Sequence, residues 1–284
     1  MATFRHHDIT FVTPARVLSD FARDLADTLP APQTTPQTTP PNLAVEVHVG
    51  IHRPEKLASE RATLPPATGP TLRIGIQTEH ILDADGMPLW QSWHIGTIQA
   101  QVAEYDVVLD LSPANAEVYD TLTPELRARV HLGPHIFPAN PPPMAPVPGG
   151  PILFFGGVNP RRQRRFAKLE RNGVAVTVLP HATFGDALRQ ELAKASAVLN
   201  IHFAPARYTE APRILKAILA GKPLISEDLA LPFLEGTQYL TLADAGASDA
   251  RLKTSYEALA SLCAQYSFPG FLRAVLVEKG QVAR

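Results

Sequence analysis

The sequence has a single cysteine, Cys263, and almost no net charge. One cysteine excludes an intramolecular disulfide and a cysteine-based metal cluster, and its place in a helical pattern predicts a small buried apolar side chain. The formal charge is −1, from 26 basic and 27 acidic residues, so the sequence lacks the cationic excess that binds nucleic-acid phosphates. Nucleic acid is therefore not indicated as a partner, whereas a local anion site remains open.

Long apolar runs and common catalytic motifs are also missing. No stretch approaches the ~20 apolar residues that a membrane span needs, and the opening MATFRHH lacks the apolar core of a signal peptide. We therefore expect no membrane span and a cytoplasmic location. The sequence contains no GxGxxG, GxxxxGKS/T, HExxH or GxSxG motif. No metal site is predicted, and His6 and His7 are assigned to a mobile terminus.

The 28 prolines divide the chain. Residues 29–41, LPAPQTTPQTTPP, predict a loop or a flexible crossover, and residues 137–150 predict a stiff linker with Gly149 and Gly150 as its pivot. The expected domains are residues 1–136 and residues 151–284, with a terminal helix that is able to cross back to the first domain.

Short runs rich in Val and Ile alternate with helical patterns in both halves. Runs without polar alternation are typical of parallel strands that are covered on both faces. The predicted strands are residues 9–12, 44–49, 72–76, 107–111, 130–132, 152–155, 174–179, 197–201, 223–225 and 239–242. The predicted helices are residues 15–29, 95–103, 115–122, 161–171, 184–193, 210–220, 249–266 and 271–279. The predicted fold class is α/β, with two Rossmann-like parallel-sheet domains facing each other across a ligand-binding cleft.

The most informative residues follow the strand at 152–155, because ligands of open α/β sheets bind beyond the carboxyl ends of strands. Gly156 and Gly157 allow close backbone approach, and Asn159 precedes the next helix. Arg161 and Arg162 then place cations at the positive end of that helix, which is unfavourable unless an anion is shared. A diphosphate would satisfy them. The alternative is a tight turn followed by basic side chains that point into water along one face of the helix. We adopt this interpretation for Arg164, Arg165, Lys168 and Arg171.

Polar residues also end the strand at 197–201 and begin the following helix. Asn200 and His202 point to one side of their strand and need polar partners. Thr209 is the predicted N-cap of the helix, and Glu210 and Arg213 share its first turns. Arg213 either forks onto a phosphate or forms a surface ion pair with Glu210.

Carboxylates and one further histidine follow other strands. Glu227 ends the segment GKPLISE, and its carboxylate is placed to accept hydrogen bonds from sugar or ribose hydroxyls. In the first half, Glu79 and His80 follow the strand at 72–76 and are the candidates for acid/base catalysis. Asp110 and Asn115 also fall at a strand end in that half.

Seven segments together resemble bacterial and viral glycosyltransferase-like proteins of the GT-B fold: IQTEH, YDVVLD, GPHIFP, FFGGVNPRR, VLNIH, ExxRIL and GKPLISE. The resemblance covers most of the chain beyond residue 70. It implies a metal-independent, cofactor-free transferase with a nucleotide-sugar on the C-terminal domain and the acceptor mainly on the N-terminal domain. It also implies that the donor diphosphate is bound by Gly157, by Arg161 or Arg162, and by Arg213. The sugar or ribose would be bound by Glu227 or Asn200.

The sequence departs from that group at one pattern. Many retaining members carry two glutamates eight positions apart, the second five before a helix-ending glycine, and here Tyr208 and Lys216 hold these positions. Either Glu210 and Arg213 replace the missing carboxylate or the donor site is degenerate. The expected function is transfer of a sugar from a nucleotide-sugar to an unidentified acceptor, with Glu79 or His80 as base in an inverting reaction. The alternatives are a non-catalytic binding or assembly protein, and a nucleotide-sugar epimerase of the same fold.

Overall fold

The computed structural model describes residues 3–6, 8–30, 43–65, 69–89, 93–145 and 147–280. The chain forms two compact units, residues 1–139 together with 266–284, and residues 140–265. Each unit is built on a sheet of mostly parallel strands with helices between them. The predicted α/β class with two Rossmann-like domains is therefore confirmed.

The first unit contains a six-stranded sheet whose strands lie in chain order. Its strands are β1 (Thr3–His6), β2 (Ile9–Val12), β3 (Ala44–Val49), β4 (Thr71–Gln77), β5 (Val107–Asp110) and β6 (Val130–Leu132). The pairs from β2 to β6 are parallel, and β1 pairs antiparallel with β2. The predicted mobile terminus at His6 was wrong, because β1 pairs with β2 and the Phe4 ring stacks on Phe11 with 5.0 Å between centroids. His7 and residues 31–42 lie outside the described residues.

Among the described residues of this unit, four α-helices and a 3₁₀ helix connect the strands. They are α1 (Arg16–Asp27), α2 (Pro54–Arg61), α3 (Trp93–Val102), the 3₁₀ helix Pro113–Tyr119, and α4 (Pro124–Arg127). The α-helix predicted at 115–122 is thus mainly a 3₁₀ helix that begins at Pro113. Helix α2 was missed because Leu57 is its one buried side chain, which leaves no apolar periodicity to detect.

The second unit contains a five-stranded parallel sheet in the order β11-β10-β9-β7-β8. Its strands are β7 (Ile152–Phe154), β8 (Val176–Val178), β9 (Ala197–Asn200), β10 (Leu224–Ser226) and β11 (Leu240–Thr241). Its helices are α5 (Pro160–Arg171), α6 (Gly185–Lys194), α7 (Ala211–Leu219), the 3₁₀ helix Leu242–Asp244 and α8 (Asp249–Gln265). Helix α5 packs on this sheet through Phe166 and Leu169, in one core with Phe154 and Leu199.

The proline-rich segment at 140–145 is bonded to the second unit. Tyr256 Oη donates to Pro142 O at 2.6 Å, and Ala145 N donates to Gly221 O at 2.8 Å. Lys222 Nζ, on a buried side chain, donates to Ala145 O at 2.7 Å and to Ala193 O at 3.3 Å. These bonds hold the prolines against the domain that follows them in sequence.

The last helix, α9 (Phe268–Glu278), belongs to the first unit. Phe137 N donates to Tyr266 O at 3.2 Å, and Phe268 N donates to Phe137 O at 2.8 Å. The rings of His131 and His135 lie 5.5 Å and 5.7 Å from the Phe271 ring. Burial lowers the pKa of both histidines, so they are neutral partners of this helix at pH 7.

Candidate functional site

The strand order of the second unit reverses next to β7. The chain passes from β7 to β8 on one side and then returns to β9 on the other. Such a reversal opens a crevice beyond the carboxyl ends of the two central strands, which is where open α/β sheets bind ligands. The polar residues singled out in the sequence after β7 and β9 therefore meet at one place.

The turn after β7 requires glycine at its first position. Gly156 has a φ of +119°, and a Cβ placed on it would lie 3.1 Å from Arg213 Nη2. At Gly157 a Cβ would meet nothing closer than the His181 ring at 4.0 Å. Asn159 then caps α5, because its Oδ1 accepts from Arg162 N at 2.9 Å and its Nδ2 donates to Phe203 O at 2.8 Å.

Arg162 ties this turn to β9 and α7. Its buried guanidinium donates from Nε to Ile201 O at 2.9 Å and from Nη1 to Gly157 O at 2.6 Å, and its Nη2 lies 3.5 Å from Glu210 Oε1. Burial and the neighbouring Arg213 lower the pKa of Arg162 to about 10, so it stays protonated at neutral pH. The predicted phosphate-binding side chain thus also holds three loops together.

Helix α7 begins differently from the prediction. Its N-cap is Glu210, with a left-handed backbone at φ 48° and ψ 35°, and no side-chain cap is formed. The prediction of Thr209 as N-cap was wrong, and its buried Oγ1 has no hydrogen-bond partner within the described part of the chain. A left-handed backbone is costly for a residue with a Cβ, so this start is strained.

Arg213 reaches back from α7 to the end of β9. Its Nη1 donates to Asn200 Oδ1 and lies 3.0 Å from Glu210 Oε2, and its guanidinium lies over the Phe154 ring at 5.3 Å. Burial opposes ionisation of Glu210, but Arg213 and then His202 outweigh it and lower the pKa of this carboxyl far below its usual range. The sequence left open a phosphate contact or a surface pair for Arg213, and the structure shows an ion pair that is largely buried.

His202 lies between this ion cluster and a neighbouring pocket. Its ring Nε2 donates to Asp228 O at 2.7 Å, because a carbonyl can only accept. Its Nδ1 is buried, has no hydrogen-bond partner within the described residues, and lies 3.8 Å from Glu210 Oε1. Asn200 Nδ2 donates to Ser226 Oγ at 2.8 Å, so both predicted strand-end residues find partners on β10 or just after it.

Glu227 is surrounded by donors. Arg161 binds it with two bonds, from Nη1 to Oε2 at 2.8 Å and from Nη2 to Oε1 at 2.7 Å, and Arg165 Nε lies 2.9 Å from Oε1. The backbone N of His202 also donates to Oε2 at 2.9 Å. Burial opposes its ionisation, but the bonds from Arg161 lower the pKa of the Glu227 carboxyl. Both oxygens that the sequence assigned to sugar hydroxyls are therefore already bound by the protein.

A pocket of about 380 Å³ lies beside this carboxylate at the carboxyl ends of β9, β10 and β11. Its lining is rich in arginine and in groups that can hydrogen-bond: Arg161, Arg165, His202, Ala206, Arg207, Ser226, Glu227, Asp228, Thr241, Leu242 and Ala243. Sequence reasoning assigned Arg165 to a solvated stripe and did not select Arg207 or Thr241. The strand-end rule contained the signal for Thr241, which closes β11.

The predicted acid/base residues lie in the first unit. Glu79 Oε1 is 3.4 Å from Nε2 of the buried His52, and His80 is half-buried in the same loop. Asn115 fixes this loop, because its Nδ2 donates to Glu79 O at 3.0 Å and its Oδ1 accepts from Ile81 N at 2.9 Å. His52 was missed, although it follows the end of β3 as Glu79 follows β4.

Asp110 anchors this loop from the core. It accepts from Tyr119 Oη at 2.6 Å, from Asn115 Nδ2 at 2.9 Å and from Ser112 N at 2.8 Å. Burial raises the pKa of Asp110 to about 7, and these donors oppose the rise.

No group of three or more His, Cys, Asp or Glu side chains among the described residues is arranged to hold a metal ion. No helix among them combines the length and the apolar character that crossing a membrane requires.

Comparison with known proteins adds a likeness of fold. No protein-family model matches the chain, and no curated protein does. One chain of the crystal structure of accessory secretory protein 1, 2 and 3 in Streptococcus pneumoniae is similar over 83% of this chain and 53% of its own, with 13% identity and a TM-score of 0.46. The present protein thus spans about half the length of that chain. The lipopolysaccharide outer core galactosyltransferase WaaB, in its apo form, matches 83% of this chain and 75% of its own, with 10% identity and a TM-score of 0.39. Neither likeness assigns a residue of the site.

Proposed function

We propose that this protein is a glycosyltransferase whose second unit binds the diphosphate of a nucleotide-sugar. One observation carries the proposal, the excess of positive charge at the switch point of the second sheet. Four arginines surround two carboxylates there: Arg161, Arg162, Arg165 and Arg213 against Glu210 and Glu227. The excess of two positive charges matches the charge of a bound diphosphate diester.

The pocket supports a nucleotide rather than a bare anion. Its volume of about 380 Å³ falls within the usual range of small-molecule sites, roughly 300–1,000 Å³. Asp228 lines it, and the carboxylate of this exposed residue suits ribose or sugar hydroxyls. Asp228 takes the role that was predicted for Glu227, because the oxygens of Glu227 are already engaged.

A thermal-shift panel tests donor binding. UDP, GDP, dTDP, CDP and their sugar conjugates are compared, and a ligand at ~100 times its dissociation constant adds roughly 2.7 kcal/mol of stability. Arg165→Gln is the test variant, because Arg165 is partly exposed and its loss leaves the Arg161–Glu227 and Arg213–Glu210 pairs in place. Arg164→Gln is the matched control, since Arg164 is exposed on the same helix. We expect one nucleotide to shift melting in the control and much less in Arg165→Gln. No shift with any of them contradicts the proposal.

For the chemical step we propose Glu79 as the base that activates the acceptor hydroxyl. Its support is a partly exposed carboxylate beside the buried His52, in a loop fixed by Asn115. Glu79→Gln is expected to lower turnover while donor binding persists. Unchanged turnover in both Glu79→Gln and His80→Ala refutes a base at this loop.

A non-catalytic nucleotide-binding protein is the second candidate. Tyr208 and Lys216 stand where retaining enzymes of the resembling group carry glutamates, and Tyr208 Oη is engaged in accepting from Phe203 N at 2.7 Å. Nucleotide binding without transfer or hydrolysis of any sugar would favour this candidate. Product analysis without added acceptor separates both from an epimerase.

A further inference from the structure

Glu210 occupies the position that an anion would take between two buried arginines. Its Oε2 lies 3.0 Å from Arg213 Nη1, and its Oε1 lies 3.5 Å from Arg162 Nη2. We propose that Arg162 and Arg213 form a phosphate subsite, and that Glu210 is an internal surrogate ligand that leaves when a phosphate or diphosphate group binds. The inference rests on the proposed function, because it assigns the phosphate subsite of the same unit.

The arginine pair is held in place by protein groups other than Glu210. Arg162 is held by Ile201 O and Gly157 O, and Arg213 is held by Asn200 Oδ1 and the Phe154 ring. None of these four contacts depends on Glu210. A pair of cations fixed by other groups keeps its geometry when the carboxylate departs, so an anion meets a preorganised site.

Glu210 is the most exposed of the four side chains that meet here. Its side chain is 17% exposed, compared with 5% for Arg162 and 9% for Arg213. The His202 side chain is 2% exposed. In the proposed exchange, the side chain that has to move is therefore the one with the most access to water.

The backbone of Glu210 is in a state that favours its departure. Its φ of 48° is in the left-handed region, and Ala182 is the other non-glycine residue of the described chain with a positive φ. Strain of this kind persists where surrounding contacts hold it in place, and here the two arginines hold the carboxylate. Replacing those contacts by bonds to a ligand removes the reason for the strained conformation.

Three buried polar atoms next to Glu210 have no hydrogen-bond partner within the described residues. They are His202 Nδ1, Thr209 Oγ1 and Arg213 Nε. Buried polar atoms normally find partners, so three together require an explanation. A phosphate group offers one for two of them, because its oxygens accept from Arg213 Nε and from the Thr209 hydroxyl.

The first experiment removes the surrogate. Glu210→Gly deletes the carboxylate and suits the left-handed backbone, and Glu210→Gln keeps the side-chain length without the charge. Binding of pyrophosphate to each full-length protein is measured by calorimetry at constant ionic strength. We expect binding tighter than that of the unaltered protein by about ten-fold or more, because the internal competitor is gone. A second change, Arg213→Gln, should abolish this gain.

Glu191→Gln is the matched control, because Glu191 also pairs with a cation in this unit, Lys194 at 2.7 Å, but on the surface. It should leave pyrophosphate affinity unchanged. Equal or weaker binding by a folded Glu210 variant overturns the inference.

A second experiment uses the unaltered protein and so does not depend on how a variant folds. Carboxyl groups are labelled with a carbodiimide and glycinamide, and the modified residues are quantified by mass spectrometry. Pyrophosphate should make Glu210 react several-fold faster and leave Glu191 unchanged. Labelling of Glu210 that stays constant or falls at saturating pyrophosphate overturns the inference.

The proposed function and the surrogate role of Glu210 can be refuted independently. If nucleotide-sugars bind and pyrophosphate leaves Glu210 labelling unchanged, the surrogate is wrong and the proposed function stands. If pyrophosphate exposes Glu210 but no nucleotide or nucleotide-sugar binds, the anion subsite stands and the proposed function fails.

Discussion

Glu227→Gln should open the structure locally around the end of β9. The substitution turns one acceptor oxygen into a donor that faces Arg161 and Arg165, which now donate at 2.7 Å and 2.9 Å. Hydrogen bonds to charged groups contribute roughly 1.5–3 kcal/mol each, and partly exposed Arg165 adds less than about 1 kcal/mol. We therefore expect a loss of about 3 kcal/mol in local stability, since one or two bonds of the Arg161 pair are lost.

Hydrogen exchange of the His202 amide measures this loss directly, because that N–H donates to Glu227 Oε2 at 2.9 Å. A loss of about 3 kcal/mol corresponds to exchange that is faster by roughly 100-fold. The surface variant Glu191→Gln should change exchange of the same amide by less than about three-fold. Protection of His202 that is the same in Glu227→Gln and in the unaltered protein would refute the view that Glu227 fastens β9 to α5.

The effect also has a defined pH dependence. The folded state lowers the pKa of Glu227, so its stabilising contribution is present above the unfolded value of about 4.3 and is lost as pH falls through the lower folded value. The difference in melting temperature between the two proteins should therefore be full at pH 7 and shrink in acid. A difference that stays constant down to pH 3 would show that the ionised carboxylate is not what stabilises this region.

Three further variants test other parts of the structure. Gly156→Ala should cost about 1–3 kcal/mol in a thermal melt, because its backbone is left-handed and Arg213 is close, whereas Gly157→Ala should melt like the unaltered protein. Asp110→Asn should lower the free energy of unfolding in urea by about 1–3 kcal/mol. Because folding raises the pKa of Asp110 to about 7, the unaltered protein should lose stability as the pH rises from the unfolded pKa towards that value. The Asn variant should not show this loss. Lys222→Met removes the bonds from Lys222 Nζ to Ala145 O and Ala193 O, so proteolysis within residues 140–145 should become faster. Equal cleavage rates would mean that this lysine does not fasten the segment.

The sequence predicted the strands well because burial on both faces leaves a local signal. Ile9–Val12, Ala44–Val49 and Val130–Leu132 have the predicted bounds, and the other predicted strands differ at their ends. Helix α2 and strand β1 left no such signal, since few of their side chains are buried. Short amphipathic or edge elements are stabilised by distant contacts that no local pattern contains.

The sequence predicted which residues meet at the candidate site, but it did not predict which of them pair with each other. The strand-end rule brought Asn200, His202 and Arg162 to one crevice, as the switch point requires. The pairing of Arg161 with Glu227 joins residues 66 positions apart, so it depends on which strands become neighbours. For the same reason, no local pattern indicates that Glu210 and Glu227 already neutralise part of the arginine cluster.

The return of α9 to the first unit changes the order in which the chain can fold during synthesis. Phe268, Phe271 and Val275 are buried in that unit, yet they leave the ribosome after the whole of residues 140–265. The second unit is one continuous segment, so its core can form first. Until α9 has been synthesised, the side chains of the first unit that pack on this helix near β6 stay exposed. Folding of the two units should therefore run against the usual N-terminal-first order. A chain stalled before residue 268 would present a finished second unit and an unfinished first one to chaperones.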